Sequence, residues 1–413
     1  MNSIDRKSVL NVHREFVNSG FAKLMDFMNV PLQIKAQNAY IYDENENEFL
    51  DCGGYGVFLL GHSHPRIVER VKQQLNISSL SNKFLLSPET GKAAKALVDI
   101  TPDDLDYVIF TNSGAEAVEA SLKIARINKR SVIISTKKAF HGKTIGALSA
   151  TGRNEFQEPF KPLLPNVCHV SFGSLEEMEL ELQKNKNKAA VILEPIQAEG
   201  GVNMPPTGYF KAVRSLCDEY GALLIVDEIQ TGLGRLGDWW GINQEGIVPD
   251  ILLTGKILSG GIIPVAAAIV KKSIFEPLNK NPMIHTSTYA GSPLAMVAVQ
   301  ETIQVLKDES LILKSAKLGD RFSLFFKKIL PKYSDILVDI RGKGLLWGIE
   351  FTNAGLAGRF MMELLKKNII ISTSLNSNKT IRITPPAILS DKQISYIETA
   401  IIEALNQTNL KIK

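Results

Sequence analysis

Short apolar segments alternate with amphipathic segments from about residue 107 to residue 270, and this alternation constrains the fold more than any other feature of the sequence. The apolar segments are 107–110, 131–134, 190–193, 222–226 and 251–253. Strands that are apolar along their whole length are buried on both faces, as in a mainly parallel sheet covered by helices. One covering helix is indicated directly, because Ala115, Val118 and Leu122 fall on one helical face. The pattern therefore predicts an α/β fold.

The pattern changes on either side of this region, which indicates a second domain. Toward the C-terminus the sequence predicts long helices, followed by strand-like segments at 336–338 and 345–351. We therefore predict a large domain and a smaller α+β domain that is built from both ends of the chain. The large domain spans 49–295, and the smaller one combines 1–48 with 296–413.

Composition and charge argue against several classes of protein. The chain has 413 residues, a formal net charge of +4 and no long run of lysine or arginine, which argues against nucleic-acid binding. Cys52, Cys168 and Cys217 are odd in number and widely spaced, so we expect neither a disulfide framework nor a metal site. The N-terminus lacks the apolar core of a signal peptide, and the apolar stretch 261–270 is shorter than the ~18 residues of a membrane span. We expect a soluble, cytoplasmic protein that binds neither nucleic acid nor membrane.

Two of the apolar segments lead into ionisable residues that suit a pyridine-ring cofactor. The segment 251–253 leads to Lys256, just before a Gly-Gly pair, and the segment 222–226 leads to Asp227. Pyridoxal 5′-phosphate needs a lysine that forms a Schiff base with its carbonyl and an acid beside its ring nitrogen. In open α/β sheets ligands bind beyond the carboxyl ends of the strands, where both residues are expected. Most lysines are exposed, so the pairing, and not either residue alone, predicts this cofactor.

Two further segments that follow strands could hold the phosphate and the ring of this cofactor. Ser113, Gly114 and Ala115 open the predicted helix, whose free N–H groups and dipole can bind a phosphate. Phe140 and His141 follow another strand, and the phenyl ring could stack on the cofactor ring. Each segment also has an ordinary explanation, since Asn-Ser-Gly is a common turn and N-cap and a lone phenylalanine is usually part of the core.

Four polar residues are additional candidates for contacts to the cofactor or the substrate. Gln230 could hydrogen-bond the ring hydroxyl, and Thr288 offers a second phosphate contact. Glu199 follows a buried strand, and Arg382 lies in an apolar strand-like segment, where its planar guanidinium suits a substrate carboxylate. A structural ion pair at a domain boundary explains Arg382 nearly as well.

Together these motifs resemble the class III aminotransferases, which are fold-type I pyridoxal-phosphate enzymes. The resemblance extends over most of the chain and is carried by 112–120, 140–143, 226–232 and 287–294. It implies a seven-stranded-type sheet in the large domain and a homodimer whose sites lie at the subunit interface.

The resemblance also implies a role for each candidate residue. Lys256 would be the Schiff-base lysine, and Asp227 would be the partner of the pyridine nitrogen. The other implied cofactor contacts are Ser113, Gly114 and Ala115 on the phosphate, Phe140 and His141 beside the ring, Gln230 near its hydroxyl, and Thr288 on the phosphate of the neighbouring subunit. In the family, the glutamate that matches Glu199 pairs with the arginine that matches Arg382, masking it for amine donors and freeing it for 2-oxoglutarate.

Within the family the chain resembles the putrescine and ornithine-type ω-aminotransferases. Lys143 stands where acetylornithine enzymes have an arginine for the α-carboxylate of the substrate. Lysine cannot reproduce that two-pronged contact, which argues against an acetylornithine-type donor. The segments 255–261 and 290–293, together with Ala198, depart from the usual motifs and leave the substrate open.

The resemblance predicts an enzyme that moves a terminal (ω) amino group from a diamine, a diamino acid or an ω-amino acid to an α-keto acid. The expected acceptor is 2-oxoglutarate. An aminomutase or an amino-acid racemase on the same fold is an alternative, because neither needs an external keto acid. A specialised biosynthetic aminotransferase that acts on an aldehyde or ketone intermediate is another. A scaffold that has lost catalysis is disfavoured, since Lys256, Asp227 and Gln230 are all present.

Overall fold

The computed structural model describes residues 5–410, and its N-terminal part combines helices with a small sheet. In chain order the elements are α1 (Arg6–Phe16), α2 (Ser19–Phe27), β1 (Lys35–Gln37), β2 (Tyr40–Tyr42), β3 (Glu48–Asp51), α3 (Pro65–Leu75) and α4 (Pro88–Val98). The Asp5 carboxylate caps α1 by accepting hydrogen bonds from the N–H groups of Lys7 and Ser8. Pro65 is the first residue of α3, where its missing N–H costs no helical hydrogen bond.

The central part of the chain forms a seven-stranded sheet with helices between the strands. Its elements are β4 (Leu105–Thr111), α5 (Gly114–Ile127), β5 (Val132–Thr136), α6 (Ile145–Ala150), α7 (Asn154–Gln157), β6 (Val167–Val170), α8 (Leu175–Lys184), β7 (Ala189–Leu193), α9 (Tyr209–Tyr220), β8 (Leu223–Asp227), β9 (Ile251–Thr254), β10 (Ala266–Lys271) and α10 (Lys272–Lys280). The five predicted strands and the predicted helix are confirmed. The strand order is β4-β10-β9-β8-β7-β5-β6. The neighbouring pairs β9–β8, β8–β7, β7–β5 and β5–β6 are parallel. Strand β10 is antiparallel to both of its neighbours, β4 and β9.

The C-terminal part adds a second four-stranded sheet and several long helices. Its elements are α11 (Pro293–Asp308), α12 (Leu311–Ile329), β11 (Leu337–Lys343), β12 (Leu346–Phe351), α13 (Ala354–Leu365), β13 (Ile369–Ile370), β14 (Ser372–Ser374), β15 (Ser377–Ile383) and α14 (Asp391–Leu410). Strand β13 lies outside this sheet and pairs in parallel with β3, so the two ends of the chain share the N-terminal sheet. The division into domains at 49 and 296 stays a prediction.

Burial of the central strands determines where a site can form. Every residue of β7, β8 and β9 is buried, as their apolar sequences require. Because these strands are adjacent and parallel, the residues that follow Leu193, Val226 and Thr254 meet at one edge of the sheet.

No helix within residues 5–410 is long and apolar enough to cross a membrane. Within the same residues, no group of three or more His, Cys, Asp or Glu side chains is placed to hold a metal ion. All three cysteines are free.

Candidate active site

A cavity of about 370 Å³ lies at the carboxyl edge of the parallel strands. Eight of the predicted site residues line it: Gly114, Ala115, Phe140, His141, Glu199, Asp227, Gln230 and Lys256. They come from five separate parts of the chain, and the strand order brings them together.

Lys256 follows the end of β9 and opens a short turn into the cavity. Its φ is +46°, a left-handed conformation that side-chain-bearing residues rarely adopt. Gly260 and Gly261 continue the turn with φ values of +61° and +76°. Loss of hydration lowers the pKa of the Lys256 amine, although nearby carboxylates, Glu199 foremost, oppose that shift. The turn therefore presents an amine that loses its proton more readily than an exposed lysine does.

Asp227, the last residue of β8, is held by two contacts. Its Oδ2 lies 2.7 Å from His141 Nδ1, and its Oδ1 accepts a hydrogen bond of 3.1 Å from the N–H of Ile229. The backbone N–H of His141 in turn donates to the hydroxyl of Thr151. A buried carboxylate with such partners keeps one orientation, so Asp227 is a rigid acceptor at the cavity wall.

Glu194 is a third carboxylate at this edge, and sequence reasoning assigned it no role. Its Oε1 accepts a hydrogen bond of 3.0 Å from the N–H of Phe140 and so ties the aromatic segment to the end of β7. Burial, followed by the charge of Asp227, raises the pKa of Glu194 well above its usual range. Its position directly after a fully buried strand was a signal that could have marked it.

The amide of Gln230 reaches the cavity without a partner. Neither its Oε1 nor its Nε2 forms a hydrogen bond within residues 5–410, although both atoms are buried. A buried amide that lacks partners is unfavourable by roughly 1–3 kcal/mol, so this side chain is suited to a polar ligand.

The opposite wall is formed by the start of α5 and a glycine turn. The Ser113 hydroxyl caps the helix by accepting a hydrogen bond from the N–H of Glu116, and Ser113 does not line the cavity. Gly114 and Ala115 do line it. Gly142 has a φ of +127°, and a Cβ there would lie 2.7 Å from the Cβ of Ala115. The wall therefore has room for backbone only.

Replacing Gly142 with alanine is expected to destabilise the protein by about 1–3 kcal/mol, because the added methyl group meets Ala115 and φ is unfavourable. The measurement is the urea midpoint of unfolding. Gly91→Ala is the matched control, since Gly91 lies in α4 with open space around it and should gain roughly 0.5–1 kcal/mol. A Gly142→Ala protein as stable as the wild type would show that this wall is not tightly packed.

Glu199 and Arg382 form a buried ion pair, although Arg382 does not itself line the cavity. The Arg382 side chain is fully buried, and its three guanidinium nitrogens have no hydrogen-bond partner of acceptable geometry within residues 5–410. The other Glu199 oxygen accepts a hydrogen bond of 2.9 Å from the N–H of Leu375. The pair is thus close but incompletely hydrogen-bonded, and the guanidinium keeps N–H groups without a partner among the described residues.

Thr288 lies outside the cavity, on an exposed loop of the same chain. The adjacent Ser287 accepts a hydrogen bond of 3.2 Å from the side chain of Asn112, which places the loop beside the start of α5. The prediction that Thr288 serves a neighbouring subunit stays a prediction. Sequence reasoning also missed Ile229, which lines the cavity two residues after Asp227.

Comparison with known proteins gives this site a family. The model for "Aminotransferase class-III" matches residues 26–405. An ornithine aminotransferase from Toxoplasma gondii, with PLP at partial occupancy in its active site, is 28% identical and has a TM-score of 0.88 over 98% of this chain and 99% of that one. A thermostable (S)-enantioselective omega-transaminase from Thermomicrobium roseum is 25% identical, with a TM-score of 0.89 over 98% of this chain and 99% of that one. A transaminase from the marine bacterium Virgibacillus is also 25% identical, with a TM-score of 0.89 over 98% of this chain and all of that one. The predicted family and fold are confirmed: the chain belongs to the class III aminotransferases.

Proposed function

We propose that this chain moves a terminal amino group from a diamine, a diamino acid or an ω-amino acid to an α-keto acid, with 2-oxoglutarate as the acceptor. The coarser activity follows from the family, since class III aminotransferases are transferases that use pyridoxal 5′-phosphate. One observation carries the finer proposal: Lys256, Asp227 and Glu199 line one cavity, and Glu199 is paired with the buried Arg382.

The residues around the cavity fit the cofactor. The unpartnered amide of Gln230 offers hydrogen bonds to the ring hydroxyl, and the glycine-lined start of α5 offers N–H groups to the phosphate. Phe140 and Ile229 would lie against the two faces of the ring. When bound, the cofactor supplies a carbonyl group that reacts with amines and an electron-poor ring that stabilises charge on the neighbouring carbon.

Lys256 is the acid–base group of the proposal. Its Nζ takes a proton from the donor carbon that bears the amino nitrogen. It then delivers this proton to the carbon on the opposite side of that nitrogen. Burial lowers the pKa of this amine, so a larger fraction is unprotonated and able to take a proton near neutral pH. Asp227, held beside His141, would lie against the ring nitrogen of the cofactor, where a negative charge favours the protonated nitrogen.

Glu199 and Arg382 would separate the two substrates. While Glu199 is paired with Arg382, the guanidinium is not free to bind a carboxylate, and the cavity would accept an amine donor that has no carboxylate near its reacting end. A keto acid would displace Glu199 and bind Arg382 through its carboxylate, which a planar guanidinium favours. The lysine at position 143 is consistent with a donor other than an acetylornithine-type amino acid.

The proposed enzyme is a homodimer in which Thr288 contacts the cofactor phosphate of the partner. The surface near this loop supports the proposal, because Phe84 and Leu86 are 91% and 99% exposed and the loop beside them carries the exposed Met283 and Tyr289. Apolar side chains in such a group are typical of an interface.

The function is tested by incubating the purified protein with the cofactor, a panel of amines and 2-oxoglutarate, and measuring glutamate. We expect glutamate with diamines or ω-amino acids and none when the keto acid is omitted. Conversion of an amino acid to an isomer without a keto acid would instead identify an aminomutase or racemase. Turnover only with a carbonyl intermediate as acceptor would identify a specialised biosynthetic enzyme.

A further inference from the structure

A second cavity of about 680 Å³ opens beside the loop that carries Phe140, and its lining is strongly basic. Four cationic side chains line it, and one carboxylate does. The cations are Lys137, Lys138, Arg153 and Lys379, and the carboxylate is Glu155. Nothing in the proposed transamination uses this cavity, and an excess of cations around a concave surface attracts anions.

Three of the four cations lie close to a carboxylate. Lys379 lies 2.8 Å from Glu350, Lys137 lies 3.4 Å from Glu177, and Arg153 lies 3.2 Å from Glu155. Lys138 forms no ion pair within residues 5–410. Lys138 therefore carries a positive charge without a carboxylate partner, and Arg153 keeps a terminal nitrogen that Glu155 does not satisfy.

Arg153 has a hydrogen-bond donor that no described residue satisfies. Its Nε lies 3.2 Å from Glu155, whereas one terminal nitrogen is buried without any hydrogen bond among the described residues. A buried N–H donor of a charged group that has no hydrogen bond is unfavourable unless a ligand or a water molecule accepts from it. The guanidinium is also held in place, because it stacks over the ring of Phe156 at 4.5 Å from the centroid.

The ring of Phe156 contacts one cation from the lining of each cavity. Lys143 lines the cofactor cavity, and its Nζ lies 4.7 Å from the centroid of Phe156. Two cations that share one ring repel each other, and an anion bound between or beside them would relieve that repulsion. Lys143, Phe156 and Arg153 thus form a contiguous group of side chains between the linings of the two cavities.

We propose that this basic cavity binds the anionic end group, a phosphate ester or a carboxylate, of an extended amino donor whose amine reaches Lys256. The inference rests on the proposed function, since it assigns a substrate class to the same site. A fork of guanidinium donors matches either anion, and a phosphate carries more charge.

The test compares donors of matched length on the holoenzyme, with 2-oxoglutarate as acceptor. For several chain lengths, kcat/KM is measured for an n-alkylamine, an ω-amino acid and an ω-aminoalkyl phosphate. The wild type should prefer an anionic donor, and Arg153→Gln and Lys138→Gln should each lower the ratio of anionic to uncharged kcat/KM by about tenfold or more. Lys366→Gln is the control, because the Lys366 side chain is 63% exposed at the C-terminal end of α13 and lines neither cavity, so this change should leave that ratio unchanged.

A second measurement does not depend on turnover. Calorimetric titration of the holoenzyme with inorganic phosphate should give binding that weakens in Arg153→Gln and Lys138→Gln and persists in Lys366→Gln. A wild type that converts the amines but shows the same ratio as both variants would overturn the inference and leave the proposed function intact. Phosphate binding lost in the variants with an unchanged donor ratio would overturn it too, by assigning the cavity to a free anion. If neither the wild type nor any variant converted an amine, the proposed function would fail. If the wild type also failed to bind phosphate, the anion site would be rejected as well.

Discussion

Replacing Lys256 with alanine is expected to lower kcat for the amine donor by about 10⁴-fold, the upper range for loss of a general acid–base group. Lys256 is the one lysine in the turn that follows β9, and Lys143, the other lysine that lines the cavity, lies on a different loop with its Nζ over the ring of Phe156. Turnover is measured as glutamate formed from the donor and 2-oxoglutarate.

Covalent attachment provides an independent reading of the same variant. After borohydride reduction and digestion, the peptide that contains residue 256 should carry the mass of the cofactor in the wild type and lose it in Lys256→Ala. Lys272→Ala is the control, because Lys272 is exposed at the start of α10 and should retain both activity and label. An alanine variant that still turned over at the wild-type rate would refute the assignment of Lys256.

Breaking the Glu199–Arg382 pair is expected to lower stability by about 3–5 kcal/mol, because either single change leaves a buried charge without its partner. Arg382→Met keeps most of the volume, and Glu199→Gln keeps the shape and the hydrogen bond from Leu375. The double variant should recover most of the loss, since it removes both charges. Urea unfolding of the four proteins measures the coupling, and additive single effects would show that the two side chains are not coupled.

Activity separates a purely structural ion pair from one that also binds substrate. Arg382→Met and the double variant should both raise KM for 2-oxoglutarate by about tenfold to a hundredfold, the effect of losing a charge-assisted hydrogen bond. The rate of the amine half-reaction should fall much less than KM for the keto acid rises. A stable double variant with a normal KM for 2-oxoglutarate would assign Arg382 to the structure alone.

Local sequence patterns were sufficient to predict the strands that are buried along their whole length. The strands β7, β8 and β9 are buried along their whole length, so their apolar sequences predicted them together with the residues that follow them. Strand β6 was not predicted because three of its four residues are only half-buried at the edge of the sheet, which blurs the apolar pattern. Strand β10 was read only as an apolar stretch, and its antiparallel pairing depends on contacts to β4 and β9.

Some residues of the candidate site could be recognised from the sequence, whereas the roles of others depend on tertiary contacts. Residues that end buried strands, such as Asp227, were recognised from the sequence because a strand end directs a side chain at the ligand edge of the sheet. The roles of Ser113 and Glu194 depended on their hydrogen bonds to Glu116 and Phe140, which no spacing rule specifies. The shared ring of Phe156 likewise joins Lys143 to Arg153 only in the folded chain.

The amino-acid sequence by itself determined the α/β class, the residue types for the cofactor and the family, because these depend on periodicity and on motifs within short segments. Only the tertiary structure decided that Glu199 neutralises Arg382, that Gln230 lacks a partner and that a basic cavity adjoins the site. The physical reason is that charge balance and hydrogen-bond satisfaction are properties of groups that meet in space, and most of these groups are far apart in the chain.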